Sequence, residues 1–254
     1  MIDFEPIETF LKSRENYIIK FPRILNMYKE RFKREINRED IMNWEDEKFL
    51  AKIKEYYIFL KLNFQEIVKN FYSKTGLEVF NFKFIPFVGL GVVNEWVDAY
   101  KNQICSFMPL ENVKNIKSLI VLTYKVYALG YILNANEEIN LDFYSNLRNL
   151  VIYGFGNFIS TICLNYNVLI PIWQSQRSIH KIWLKDLERN LRNYSLRFLS
   201  EIEDSSFIQF QEWFITSRKG QYLGYKLFQN SDLKTTLKLS KKSFKLKFYE
   251  LCFA

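Results

Sequence analysis

The sequence predicts an α+β fold that is mostly helical, and three observations lead to this prediction. The chain has 254 residues, of which 48% are apolar and 25% charged, so it can bury a large core. It contains 24 Phe, 16 Tyr and 5 Trp but only 8 Gly and 5 Pro, which favours helices packed through large rings over many tight turns. Helical spacing of apolar residues dominates, and strand-like alternation is confined to residues 78–107.

The first segment, residues 1–76, is predicted to be an N-terminal helical subdomain. Its apolar residues lie three and four positions apart with Lys and Glu between them, as in two or three amphipathic helices. Pro22 is expected to break or begin one helix. The acidic residues 45–47 are expected to begin another, because carboxylates favour the positive end of the helix dipole. The later apolar stripe contains Ile53, Tyr57, Leu60, Phe64, Ile67 and Phe71.

Residues 78–107 are predicted to form a small antiparallel sheet of about three strands. Within residues 78–85, three phenylalanines alternate with polar residues, as in a strand with one buried face. Residues 95–100 and 104–107 are expected to be two further strands joined by a hairpin.

Residues 77–254 are predicted to be one compact α+β unit on which the N-terminal helices pack. Residues 149–176 carry no charge and are long enough to cross a bilayer. They also contain several Asn and Pro171 and keep a helical apolar stripe, which favours a helix buried inside protein, so no membrane span is expected. Helices are expected at residues 113–133, 142–165 and 172–199, with weaker ones from Ser206 and Gly220 and a last one from Asp232.

Histidine and cysteine usage limits the possible chemistry. His180 is the single histidine in the sequence, which excludes any site built from two histidines. It is interpreted as a partly exposed residue without a catalytic role, since no nucleophile motif lies near it. Three widely spaced cysteines without a CxxC pair indicate buried thiols in a reducing compartment, and the first residues do not resemble a secretory signal. A cytoplasmic protein is therefore expected.

Three parts of the chain, in this order, carry a resemblance to a known family. The first is a strand, a glycine turn and an edge hairpin, the second is an apolar helix, and the third is a C-terminal helix pair. Their order resembles the HExxH zinc metallopeptidases of the gluzincin type, in particular a family of predicted zinc-dependent proteases. The resemblance implies a zincin-like fold in which the small sheet packs on the long buried helix. The segments are residues 84–91, 95–100 and 103–105, then 150–158, then 220–227 and 233–240.

The zinc motif of that family is degenerate here. Tyr153 and Asn157 stand where the two histidines would be, and Gly154 stands at the position of the catalytic Glu. Phenol and carboxamide are poor zinc ligands and glycine has no proton acceptor, so metal binding and catalysis should both be lost. The stretch expected to supply a third ligand offers Gln174 and Gln176 but no carboxylate. The resemblance thus implies a polar pocket with no metal, no cofactor and no catalytic residue.

A second interpretation of the same helix is purely structural. Tyr153 and Asn157 would hydrogen-bond inside a packed helix interface, because buried polar groups need partners. Gly154 and Gly156 would permit close helix packing.

The predicted function is that of a pseudoenzyme: an inactive, metallopeptidase-like protein that retains a peptide-binding groove at the edge of the sheet. An extended peptide or protein segment would add a strand through backbone hydrogen bonds, which needs no catalyst. The groove is expected at Gly89, Gly91, Glu95 and Trp96.

Two other classes stay open. A hydrolase with a non-zinc site could use Glu95 and Asp98, although these fall on opposite faces of their strand. A basic structural or non-specifically nucleic-acid-associated protein would explain the net charge of +8. The charge is concentrated at residues 29–38 and in six lysines of residues 232–250, but no specific nucleic-acid motif and no nucleotide-binding motif is present.

Overall fold

A computed structural model describes residues 1–33, 44–89, 95–174, 176–229 and 231–253 of the protein. It is mostly helical, at 70%, with one three-stranded sheet, which confirms the α+β prediction. Short 3-10 or π turns lie at Leu110–Asn112, Glu137–Ile139 and Gln211–Thr216. The elements are α1 (Glu5–Lys12), α2 (Arg14–Lys20), α3 (Pro22–Phe32), α4 (Glu47–Thr75), β1 (Lys83–Phe87), β2 (Trp96–Tyr100), β3 (Gln103–Pro109), α5 (Ile116–Ala135), α6 (Asn146–Leu164), α7 (Leu169–Trp173), α8 (Ser178–Arg189), α9 (Leu191–Ser200), α10 (Phe207–Phe210), α11 (Lys219–Gln229), α12 (Leu233–Thr236) and α13 (Lys241–Phe253).

Helix α4 shows how local sequence sets the bounds of an element. The Asp46 carboxylate accepts hydrogen bonds from the backbone N–H groups of Lys48 and Phe49, which caps the first turn. The helix ends at Gly76, whose φ of +62° suits glycine. Its buried face faces the sheet, and the ring of Phe64 lies 4.9 Å from that of Phe84. The residues of this face are Ile53, Tyr56, Leu60, Phe64, Ile67 and Phe71.

The sheet is mixed, so the prediction of an antiparallel sheet was only partly correct. Its order is β1-β3-β2, with β2 antiparallel and β1 parallel to β3. The first strand begins at Lys83 instead of residue 78, and Phe84 to Phe87 are all buried. A strand covered on both faces forms a continuous apolar run and lacks the alternation on which the prediction relied. Residues 1–3 bond to both backbone groups of Phe84 along the outer edge of β1.

Helices α5 and α6 form the centre of the core. Both are long and apolar enough to cross a membrane, with mean hydropathies of 1.4 and 1.2, but 83% and 78% of these windows are buried within the protein. They are weak indications of a membrane span, because core helices pass the same test. One hydrophobic cluster extends from Ile7 to Cys252 around them. The boundary at residue 76 stays a prediction.

The long helix expected at residues 172–199 is interrupted. Helix α7 ends at Trp173, and Gln174 adopts a left-handed backbone with φ of +54°. A second interruption at Asn190 separates α8 from α9. The helix expected from Asp232 is likewise divided into α12 and α13. Apolar spacing continues across these breaks because successive short helices pack on the same core.

Candidate functional site

Tyr153 and Asn157 lie in the interior, on the buried face of α6. Their exposed fractions are 1% and 0%. The Tyr153 hydroxyl donates to the carbonyl oxygen of Glu95 at 3.0 Å, and its ring stacks on Phe214 at 5.9 Å. Burial, followed by the charge of Glu95, raises the pKa of Tyr153 well above the ordinary tyrosine value. The phenol is therefore protonated and serves as a hydrogen-bond donor.

Gly154 contacts another helix through its backbone. A Cβ atom at this position would lie 2.3 Å from the carbonyl carbon of Gly224 in α11, and a Cβ at Gly224 would lie 2.1 Å from the carbonyl oxygen of Leu150. Neither position can hold a side chain unless the two helices separate. At the position where the resemblance would place a catalytic Glu, the backbones of two helices are in contact.

Gln221 of α11 connects the polar side chains around Asn157. The Asn157 amide donates to the backbone oxygen of Gln221 at 3.4 Å and to its Oε1 at 3.3 Å. Lys125 donates to the same Oε1 at 3.0 Å, and Gln221 donates to the carbonyl of Phe214 at 2.7 Å. The Asn157 Oδ1 is buried without a partner in the described parts of the chain. Asn157 therefore faces a closed, partly satisfied polar core.

Lys125 and Glu95 form a buried ion pair next to Tyr153. The Nζ to Oε1 distance is 2.6 Å, and the side chains are 2% and 7% exposed. Burial lowers the pKa of Lys125, and the Glu95 charge opposes this shift. Lys125 and Gln221 are not among the site residues predicted from the sequence. Lys125 does carry a signal, because it is the one charged residue between Ser118 and Ala135.

The carboxylates considered for a non-zinc hydrolase are paired with different cations. Asp98 bonds to Nε of Arg31 at 2.7 Å, whereas Glu95 bonds to Lys125. The two carboxylates are therefore held in separate, neutralised environments. This geometry does not resemble a carboxylate pair that shares one proton or one water.

The edge of β2 is covered along its first half. Trp96 is 1% exposed and stacks on Phe107 at 4.7 Å. The carbonyl oxygen of Val97, which points away from β3, accepts a hydrogen bond from the buried Arg148 at 2.7 Å. Burial lowers the pKa of Arg148 to about 10. Only Ala99 in this strand is exposed.

Of the two glycines predicted to line the groove, the structure describes Gly89 but not Gly91. The backbone N–H of the buried Gly89 donates to Oε2 of Glu111 at 2.9 Å. Gly91 lies outside the described residues, as do Arg34 and Arg38 of the first basic cluster. In the second basic cluster, Lys241 and Lys245 contact Glu203.

Gln174 and Gln176 line a surface cavity that is distinct from the buried cluster. The cavity has a volume of about 180 Å³ and is open to solvent. Lys125 is not among its lining residues. The last three carbonyls of α7 each accept a hydrogen bond from a cation, as suits the negative end of a helix. These bonds run from Lys125 to Pro171, from Arg218 to Ile172 and from Lys114 to Trp173. We name this cavity the α5 pocket, and it is lined by Asn115, Lys117, Ser118, Ile170, Gln174 and Gln176.

Within the described ranges there is no group of three or more His, Cys, Asp or Glu side chains that could hold a metal ion. The ring of His180 stacks on Trp173 at 4.9 Å. Cys105, Cys163 and Cys252 are buried free thiols.

No protein-family model matches the chain, and neither a curated protein nor a solved structure matches it. The resemblance to zinc peptidases therefore depends on the order of the three segments alone.

Proposed function

We propose that the protein is a catalytically inactive relative of the HExxH zinc peptidases, with a zincin-like fold, and that it acts by binding. The observation that carries this proposal is the contact between Gly154 and Gly224. A catalytic Glu must reach a metal-bound water, whereas here even a Cβ would overlap backbone atoms. A small sheet beside a long buried helix is consistent with the architecture implied by the resemblance.

The other motif positions support the same proposal. Tyr153 keeps its proton and donates it to a carbonyl, and Asn157 bonds to Gln221. Glu95, whose backbone carbonyl accepts the Tyr153 hydrogen bond, has its carboxylate neutralised by Lys125. A zinc ion bound here would have to break the Lys125–Glu95 ion pair and displace the hydrogen-bonded side chains of Tyr153, Asn157 and Gln221. It would gain no thiolate, imidazole or free carboxylate as a ligand.

Zinc analysis tests the absence of metal chemistry. We expect full-length protein purified without chelators to contain far less than one equivalent of zinc, and to leave casein intact after zinc is added. The double variant Tyr153→His/Asn157→His is the matched comparison, because it supplies two imidazoles and still lacks the Glu. Stoichiometric zinc in the unaltered protein together with casein cleavage would contradict the proposal.

We propose an extended peptide as the partner, which pairs with the outer edge of β2 along the second half of the strand. The outer edge of β1 is occupied by residues 1–3, whereas β2 carries no strand on its outer side in the described chain. The backbone N–H and C=O groups of Ala99 point away from β3, as those of Val97 do, because the outward direction recurs at every second residue of a strand. Its N–H bonds only to the carboxylate of the adjacent Asp98, at 2.8 Å. A peptide strand would replace this local bond.

A proline substitution tests this binding mode. We expect peptides selected from a random phage-displayed library to lose binding to Ala99→Pro, which lacks the outward N–H, and to keep binding to Ala99→Val. The β2–β3 ladder does not use that N–H, so both variants should fold. Selected peptides that bind both variants equally would contradict strand addition at this edge.

A reducing, cytoplasmic environment is part of the proposal, since all three cysteines are free thiols.

A further inference from the structure

The α5 pocket lies at the N-terminus of a 20-residue helix and presents hydrogen-bond donors. Asn115 caps the helix by accepting the N–H of Ser118 at 2.9 Å. The N–H groups of Ile116 and Lys117, the first two of the helix, make no hydrogen bond to the described part of the protein. Such free N–H groups and the helix dipole favour a negative charge at this end.

Ser118 provides a second, independent indication of a ligand. Its side chain lines the pocket although the residue is only 4% exposed. Its hydroxyl has no hydrogen-bond partner among the residues that the structure describes. The hydroxyl therefore faces the pocket, where it can donate to an acceptor. The Gln174 side chain also lines the pocket, and its Oε1 is buried without a partner in the described chain, so it can accept a hydrogen bond from a protonated oxygen of the ligand.

The charge around the pocket is positive. Lys117 lines it, and Lys114 lies beside it with Nζ 3.3 Å from the carbonyl of Trp173. Lys114 and Arg218 bond to neighbouring carbonyls at the end of α7. Burial, followed by the charges of Arg177 and Arg218, lowers the pKa of Lys114. Across the described ranges, none of the four forms an ion pair with a carboxylate.

We propose that the α5 pocket binds a phosphate-class oxyanion, through the first N–H groups of α5, the Ser118 hydroxyl and the Lys117 ammonium. The cavity of about 180 Å³ holds several water volumes of about 30 Å³ each. It is smaller than the roughly 300–1,000 Å³ of pockets that enclose whole small molecules. A single phosphoryl group therefore fits, either as inorganic phosphate or as the phosphomonoester of a larger ligand. This site is separate from the proposed peptide edge, so each proposal can fail without the other.

Phosphorus NMR of inorganic phosphate with the full-length protein tests the site directly. Melting temperature is a poor readout, because phosphate salts stabilise many proteins by exclusion from their surfaces. At constant ionic strength set with chloride, we expect saturable broadening of the phosphate signal. Lys117→Gln and Ser118→Ala should each weaken binding about tenfold, the usual effect of one hydrogen bond to a charged group.

The matched control is Lys61→Gln, which also removes one exposed lysine positioned over a tyrosine ring. Lys61 lies 5.2 Å from the ring of Tyr57, and Lys117 lies 4.7 Å from that of Tyr166. The control should bind phosphate within about twofold of the unaltered protein. Circular dichroism verifies folding, and Lys117→Gln carries the test if Ser118→Ala does not fold.

A parallel titration with O-phosphoserine distinguishes the two sources of the anion. Tighter binding of phosphoserine than of phosphate assigns the pocket to a phosphorylated ligand, and the reverse order assigns it to free phosphate. Absence of saturable binding of either probe would overturn the proposal. Phosphate binding that both pocket variants retain would place the anion on another surface and would overturn it as well.

Discussion

Alanine at Gly154 or Gly224 should force α6 and α11 apart. The added Cβ at position 154 would lie 2.3 to 2.5 Å from three backbone atoms of Gly224, and at position 224 it would lie 2.1 Å from the Leu150 oxygen. Backbone atoms of packed helices cannot rotate away as a side chain can, so the overlap must be relieved by helix movement. Overpacking of this kind costs about 1–3 kcal/mol, and backbone overlap belongs at the upper end.

The helix propensity of alanine opposes this cost. Replacing glycine by alanine inside a helix contributes about 1 kcal/mol in its favour. The expected net loss is therefore about 2 kcal/mol for Gly154→Ala, which corresponds to about 4–8 °C in melting temperature for a chain of this size. Urea unfolding followed by circular dichroism should show a lower midpoint with an unchanged slope.

Gly156→Ala in the same helix is the control. The nearest atom to its added Cβ would be the terminal Cδ1 of Leu129 at 2.6 Å, which a side-chain rotation can move, and the Lys125 backbone oxygen would lie 3.1 Å away, against 2.3 Å for backbone at Gly154. We expect a stability within about 1 kcal/mol of the unaltered protein, because the propensity gain offsets this smaller strain.

The double variant Gly154→Ala/Gly224→Ala measures the coupling between the two positions. It should cost less than the sum of the single changes, since one separation of the helices accommodates both methyl groups. A Gly154→Ala variant as stable as Gly156→Ala would refute the close crossing. It would also remove the main support for an inactive site.

Three further predictions concern charge, protonation and the hairpin. Glu95→Gln should cost about 3–5 kcal/mol in urea unfolding by leaving Lys125 unpaired in the core, and Lys125→Met in the same chain should recover most of this loss; a single variant of full stability would contradict a buried ion pair. Burial raises the pKa of Cys163 from 9.0 to about 12. The stability that this shift contributes is fully present below pH 9 and is lost between about pH 9 and 12, because the thiol of the unfolded chain loses its proton first. The urea midpoint of Cys163→Ala should therefore decline less steeply over this pH range than that of the unaltered protein. Lys101→Asn combined with Asn102→Gly should raise stability by about 0.5–1 kcal/mol, since these residues have φ of +51° and +61°, and a lowered melting temperature would argue against this turn.

Local sequence signals were sufficient to predict the elements that depend on residues close together in the chain. The start of α4 and five of the six predicted residues of its apolar stripe are where the spacing places them; the exception is Tyr57, which is half-buried while the adjacent Tyr56 is buried. The hairpin strands β2 and β3 lie within one or two residues of the predicted ranges, because a short loop brings adjacent strands together. The parallel pairing of β1 with β3 was missed, because it is a choice between distant partners that the alternation of one strand does not encode.

The candidate site was harder to predict than the fold. Tyr153 and Asn157 could be named from the motif, but Gln221, the partner of Asn157, lies 64 residues away from it in sequence. Lys125, which bonds to the same Gln221 oxygen, lies 32 residues away from Asn157. Gln174 was grouped with them on the basis of the resemblance. The turn after α7 instead places it in the α5 pocket, which Tyr153 and Asn157 do not line.

The sequence by itself determined the helical class, the positions of most helices and the lack of any histidine, cysteine or carboxylate at residues 150–158, since these follow from residue chemistry and local period. Tertiary structure decided that Gly154 meets Gly224 and that Lys125 pairs with Glu95. It also decided that Ser118 opens into a positively charged pocket. These contacts join residues from separate elements, and their geometry is fixed by how the helices pack against one another, a cooperative property that no single segment carries.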